Sequence, residues 1–349
     1  MTPSRPTGGN YLTVRPDWLA RGFEEALEPE LPIIDAHHHL WDRKDWRYLL
    51  DEYRADIADS GHNVTASVFV QCQAMYRPDG PVAMRVVGET EFINGVAAMS
   101  ASGHYGPRRL CAGIIGHADL RLGDEVTPVL EAHIAAAPGR FRGIRHITVW
   151  DSDGSLMNPL SAGPPGLLGD SAFRAGFARL APLGLMFDAW LFHPQIPELT
   201  ELARAFPQTA IVLDHLGGIV GIGAYKDRRN DIFVEWSHAI RDLAKCENVC
   251  VKLGGLGMRI NGFGFETGDI PPTSEILASA WRPYIEVCIE AFGAGRCMFE
   301  SNFPVDKGSY GYRSVWNAFK RLTRHVGEGE RLALFSGTAA RVYGLARPE

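Results

Sequence analysis

No run of 18 or more apolar residues occurs in this 349-residue chain, so nothing in it reads as a helical membrane span. Prolines, charges and polar residues break up Met1 to Arg21, where a secretory leader needs an apolar stretch; no signal peptide and no membrane partner are expected. A basic excess is missing too. Lys plus Arg is 35 against 41 Asp plus Glu, a net charge of −6, which argues against a nucleic-acid groove. Paired cysteine motifs are absent: the six cysteines fall at 72, 111, 246, 250, 288 and 297 with no CxxC, and no second pair answers Cys246 and Cys250. Contexts such as Val249-Cys250-Val251 read as buried free thiols of a reducing, cytoplasmic compartment.

What is present suffices for a large core, with 46% hydrophobic residues. Short β-rich runs alternate with longer helical patterns. Strands are expected at Leu31 to Ala36, Val64 to Gln71, Leu110 to Gly116, Phe141 to Val149, Leu185 to Phe192, Ala210 to Leu213, Val249 to Leu253 and Cys297 to Phe299. Between and after them lie helical stretches from Pro81 to Ser100 through to Glu328 to Val342. Strand–helix alternation points to parallel βαβ units, and eight strands point to an α/β fold of the (β/α)8 TIM-barrel type over residues 31–349. Residues 1–30 form an N-terminal extension to this single domain. Two long loops, Ser152 to Gly169 and Arg259 to Thr273, follow strands and would overhang the C-terminal face; Phe263 and Phe265 among glycines favour a lid in the second.

The segment Ile34-Asp35-Ala36-His37-His38-His39 carries the strongest chemical signal. Alternate residues of a strand share a face, so His37 and His39 can converge on one spot while His38 points away. Neutral imidazoles are common ligands of zinc and similar metals. Histidine recurs at other strand ends, as His193 after strand five and His215 after strand six, and barrel active sites are built at strand ends.

Five ordered motifs extend the pattern: Asp35-x-His37-x-His39, Phe192-His193-Pro194, Asp214-His215-x-Gly217, Met298-Phe299-x-Ser301-Asn302-Phe303-Pro304 and Gly337-Thr338-Ala339-Ala340-Arg341-Val342-Tyr343. Together they resemble the amidohydrolase superfamily over about residues 31 to 345, and within it the amidohydrolase-2 branch of lactonases and related decarboxylases. The resemblance implies a metal-assisted hydrolase with His37, His39 and His193 as ligands of one divalent ion, Zn2+ for preference, and His215 as a catalytic or ligating histidine. It also implies that the ion is weakly held or dispensable, as in some lactonases of this branch. No lysine at a strand-four end offers a bridge to a second metal.

The family's strand-eight aspartate falls on Asn302, a neutral amide that cannot act as a base. Asp306 and His215 are the candidate replacements, and Glu300 is a weaker one because its place in the strand points it elsewhere. Arg142, Arg145 and Lys252 favour an acidic or polar small-molecule substrate. Gln71 ends strand two beside them, and Trp41 and Tyr48 offer an aromatic wall. The expected reaction is opening of a small acidic or polyhydroxylated lactone. A decarboxylase of aromatic acids and a silent ligand-binding barrel remain as alternatives, and self-association is left open.

Overall fold

The computed structural model describes residues 11–158 and 162–347; residues 1–10 of the extension and 159–161 of the first long loop lie outside the described residues. Eight parallel strands form one sheet: Ile33–His38, Val64–Val70, Arg109–Gly116, Phe141–Ile144, Met186–Ala189, Ile211–Leu213, Val249–Leu253 and Cys297–Phe299. They are referred to below as strands one to eight. The residues just past strand eight close the ring: Asn302 N donates to His37 O at 2.9 Å, and His39 N to Phe303 O at 2.8 Å. The fold is a (β/α)8 barrel.

Two apolar layers hold it. Inside the barrel, Ile34, Val68, Ile115, Met186, Val212 and Met298 pack on Ala339, Ala340 and Tyr343, which seal the floor from the C-terminal segment. A larger cluster fills the space between strands and surrounding helices, where Phe69, Phe187, Leu213 and Phe299 are fully buried. Burying side chains of this size stabilises by about 1.5–3 kcal/mol each.

Several expected elements shift at their ends. Strand four stops at Ile144, and the helix expected over Glu328 to Val342 is split into Glu328–Leu332 and Thr338–Val342 by a π-turn at Ala333–Gly337. Helix Leu50–Ser60 and the hairpin Trp41–Arg43/Trp46–Tyr48 follow strand one without having been anticipated. The loop 259–273, which follows strand seven, is held in place by packing. Phe263 and Phe265 stack at 5.2 Å, Phe265 meets Trp281 of helix Ser274–Phe292, and Trp18 Nε1 donates to Gly268 O at 2.8 Å. Among the described residues no helix is long and apolar enough to cross a membrane.

Candidate active site

Strand parity builds the site. Met186, Val212, Cys250 and Met298 belong to the interior apolar layer, one from each of strands five to eight. Side chains two positions on return to the same face, which stacks Asp188, Asp214, Lys252 and Glu300 as a charged layer above it; all four are fully buried. By the same rule His37 would face outward, since Ile34 and Ala36 lie in the interior cluster. A register irregularity between Asp35 and His38 shifts the phase. His37 therefore turns inward, and His38 turns out to stack on Tyr53 at 4.1 Å. Asp35 also faces out. It accepts from Ser301 N and Oγ and from the hydroxyls of Tyr53 and Tyr312, so its role is to brace the strand end.

His37 sits at the centre of the charged layer. Its Nδ1 lies 3.0 Å from Glu300 Oε2, 3.2 Å from Lys252 Nζ and 3.5 Å from Asp214 Oδ1. Its Nε2 lies 3.2 Å from His39 Nε2 and 3.3 Å from Arg145 Nη1. Burial, then the Lys252 charge, pushes the imidazole down to about 4, so the ring is neutral. Lys252 bridges Asp188 Oδ2 at 2.6 Å and Asp214 Oδ1 at 3.0 Å, while Arg145 Nη1 reaches Asp214 Oδ2 at 3.3 Å.

His215 and Glu300 form a buried imidazole–carboxylate pair, Nδ1 to Oε1 at 2.7 Å. Burial would raise the Glu300 carboxyl, but His215 and His37 outweigh it and hold it down at about 2. The turn that aims His215 is left-handed through four consecutive residues, with φ of 54° at His215, 53° at Leu216, 78° at Gly217 and 55° at Gly218. A Cβ at Gly218 would fall 2.2 Å from Leu191 O, and one at Gly255 would fall 2.3 Å from His215 Nδ1. Both glycines are needed for the ring to seat.

Several expected site residues lie elsewhere. Arg142 is the second residue of strand four, at the entry end, where it donates to Gly344 O; strand four ends earlier than the sequence suggested, so only Arg145 reaches the site. Glu300, ranked below Asp306 in the sequence, points inward, and Asp306 is the residue set back. Asp306 accepts from Asn302 Nδ2 and Gly257 N, both at 2.9 Å, and from the Tyr310 hydroxyl, and burial pushes its carboxyl up to about 6. Asn302 has φ 55° and spends its amide on Asp306. Tyr48 is buried and donates to Asp56, away from the charged layer; Trp41 stacks 5.7 Å from His39.

His193 is not among the residues whose ligand atoms cluster around His37. Val220 N donates to its Nδ1 at 3.3 Å, so the neutral ring carries its proton on Nε2, a buried donor with no protein partner. Its surroundings are Tyr225, with ring centroids 5.2 Å apart, and Asp151, which accepts the Tyr225 hydroxyl at 2.7 Å. A cavity of about 530 Å³ opens nearby, lined by Val220, Tyr225, Arg229 and Tyr284, but no residue of the charged layer lines it.

A divalent ion fits the centre on this structure's own terms. His39 Nδ1 donates to Val70 O at 2.7 Å, which fixes its tautomer and leaves the Nε2 lone pair facing His37. Asp214 Oδ1 and Glu300 Oε2 are buried without an aligned hydrogen-bond donor. Among the described residues, His37, Asp214 and His215 form the one group whose ligand atoms all lie within 4.8 Å of one another. Imidazole nitrogens with one carboxylate suit zinc.

Comparison with known proteins agrees with this architecture. The family model described as Amidohydrolase matches residues 34–345. The uncharacterised protein y4mH of Sinorhizobium fredii is 34% identical over 339 residues, covering 90% of this chain and 99% of its own. An L-fucono-1,5-lactonase of Burkholderia multivorans is 27% identical over 326 residues, covering 90% and 97%. A crystal structure of an amidohydrolase from Burkholderia multivorans with bound zinc superposes with a TM-score of 0.67 at 25% identity, covering 90% of this chain and 99% of that one.

Proposed function

The chain belongs to the amidohydrolase family and is a hydrolase, and from that premise we propose that it opens a small lactone, with His215 as the base that activates water. One observation carries the reading. The buried His215–Glu300 pair, 2.7 Å apart, lies against the His37 imidazole, which in turn meets His39. Glu300 is ionised and accepts from Nδ1, which leaves the His215 Nε2 lone pair to take a proton from water. Water then adds to the ester carbonyl. The ring oxygen leaves as an alkoxide, and the proton held on His215 returns to it, so one water is consumed and a hydroxy acid is released. The Arg145 Nε–H, buried without a protein partner, is the donor available to substrate oxygens.

His37, His39 and Asp214 are the residues that would hold the divalent ion, zinc being the choice their chemistry favours, with His215 beside them kept free as the base. When bound, it supplies Lewis-acid polarisation of the carbonyl and a more acidic water. Lys252 and Arg145, at 3.2 and 3.3 Å from His37, place two positive charges against any such ion and weaken its hold.

Lactone opening releases acid, whereas decarboxylation consumes a proton. A panel of sugar lactones and aromatic acids in weakly buffered indicator dye tests the reading. Acidification by lactones, lost in His215→Ala, is the expected result. Alkalinisation by aromatic acids, or silence with every lactone, would overturn it.

A further inference from the structure

Next to the charged layer lies a second group of buried polar atoms that shares only Arg145 with the chemistry above. Arg145 Nη2 donates to Gln71 O at 2.5 Å, where strand two ends. The loop that follows is held by Glu89 of helix Val87–Ala101, whose Oε1 accepts from Cys72 N at 2.9 Å and Ala74 N at 2.8 Å. Four atoms on these residues and this loop are buried without a protein hydrogen-bond partner: Glu89 Oε2, Gln71 Oε1, the Tyr76 hydroxyl and Arg145 Nε. Glu89 and Gln71 are each 1% exposed. Gln71 adjoins Cys72 and takes the Arg145 guanidinium on its carbonyl, which ties it to this loop; burial pushes the Glu89 carboxyl up to about 7, and the Arg145 charge acts on both Glu89 and Tyr76.

We infer that Glu89, with Gln71 and Tyr76, reads hydroxyl groups on the ring of the bound substrate, making Glu89 a specificity-determining residue. Gln71 Oε1 only accepts, Arg145 Nε only donates, the phenol does both, and Glu89 Oε2 accepts when the carboxyl is ionised and donates when it is protonated. A ring hydroxyl both donates and accepts, so it answers this set. A carboxylate offers acceptors alone, so it would leave Gln71 Oε1, and Glu89 whenever it is ionised, without a donor. An unsubstituted ring would leave the buried atoms unpaired, the situation that gives polar sites their strongest discrimination. The substrate class is therefore a polyhydroxylated lactone in preference to a carboxylate-bearing one. The word lactone rests on the proposed function; hydroxyl reading does not.

Glu89 has two separable tasks: Oε1 braces the loop, and Oε2 faces the ligand. Glu89→Gln keeps an acceptor for the two amides and turns the other atom into a donor, while Tyr76→Phe removes only a hydroxyl. The measurement is kcat/KM for a hydroxylated aldono-1,5-lactone and for unsubstituted δ-valerolactone. In each variant the ratio between the two substrates should fall roughly 10- to 100-fold, mainly through KM. An unchanged ratio, with both substrates slowed alike, would reduce Glu89 to a loop brace and overturn the inference. If the wild type opens no lactone, calorimetric titration with a pyranose sugar separates the two readings. Binding that Glu89→Gln abolishes would keep the hydroxyl site and sink only the lactonase reading, whereas no binding to the wild type would sink both.

Discussion

Two buried lysines show how differently one molecule can use the same charge. Lys252, in the barrel, donates to Asp188 and lies 3.0 Å from Asp214; burial works against its charge, but the carboxylates prevail and raise its pKa. Lys320, under the N-terminal arm, donates to Leu27 O and Glu28 O at 2.8 Å and to His62 Nδ1 at 3.0 Å. Its partners are neutral, so burial, opposed by Glu28 and aided by Arg331, pushes it down to about 8. The arm uses a lysine as a three-way clasp. The barrel uses one as a fixed counter-charge for two carboxylates. Burial alone does not separate structural from functional polar groups; the charge of the partners does.

The sharpest way to break this contrast is Lys252→Met. It leaves Asp188 and Asp214 without their shared cation, so stability should fall by about 3–5 kcal/mol in denaturant titrations and turnover should vanish. A folded, active variant would show that the barrel lysine is no more than filler. Glu300→Gln is next. It keeps the shape beside His215 but removes the charge that orients the ring, and kcat should drop about 100-fold or more while the melting temperature changes little. Activity equal to wild type would return the base role to Asp306.

Lys320→Met should do the converse. Leaving the Leu27 and Glu28 carbonyls unpaired costs about 1–3 kcal/mol, while steady-state kinetics stay at the wild-type level. A shift in kcat would tie the arm to the chemistry. The finest test is pH. An unfolded lysine titrates near 10.5 and folded Lys320 near 8, so across that window unfolding takes up a proton and stability rises with pH. The advantage of wild type over Lys320→Met should therefore grow between pH 8 and 10.5. A constant advantage would contradict the depressed value.

Much of the barrel was legible because its strands are short β-rich runs bounded by helical patterns; Val249–Leu253 and Cys297–Phe299 fall where the alternation puts them. The inward turn of Glu300 was legible too, and was misjudged. Met298 is apolar and interior, Phe299 faces the helices, and the residue after them must face in. Asp188, two residues beyond Met186, could have been found by the same parity. The Asp35–His38 irregularity could not, because a bulge is set by how strand one pairs with its neighbour rather than by its own residues. The place of His193 likewise depends on Val220, which is remote in sequence and arrives with the left-handed turn after strand six.

The sealed floor has a consequence for how the protein is made. The Tyr343 hydroxyl donates to Asp188 Oδ2 at 3.1 Å, and Ala339 and Ala340 pack beneath the strands. Translation delivers His37 and His39 first and Tyr343 after every barrel strand. Until that tyrosine leaves the ribosome, the barrel is open below and Asp188 meets water instead of a phenol. A chain that stalls before residue 343 has all eight strands and every metal-ligand candidate, yet its charged layer is hydrated from underneath. The charged layer is thus tied to translation of this segment, and a nascent chain gains its proper electrostatics only once Tyr343 has emerged and docked.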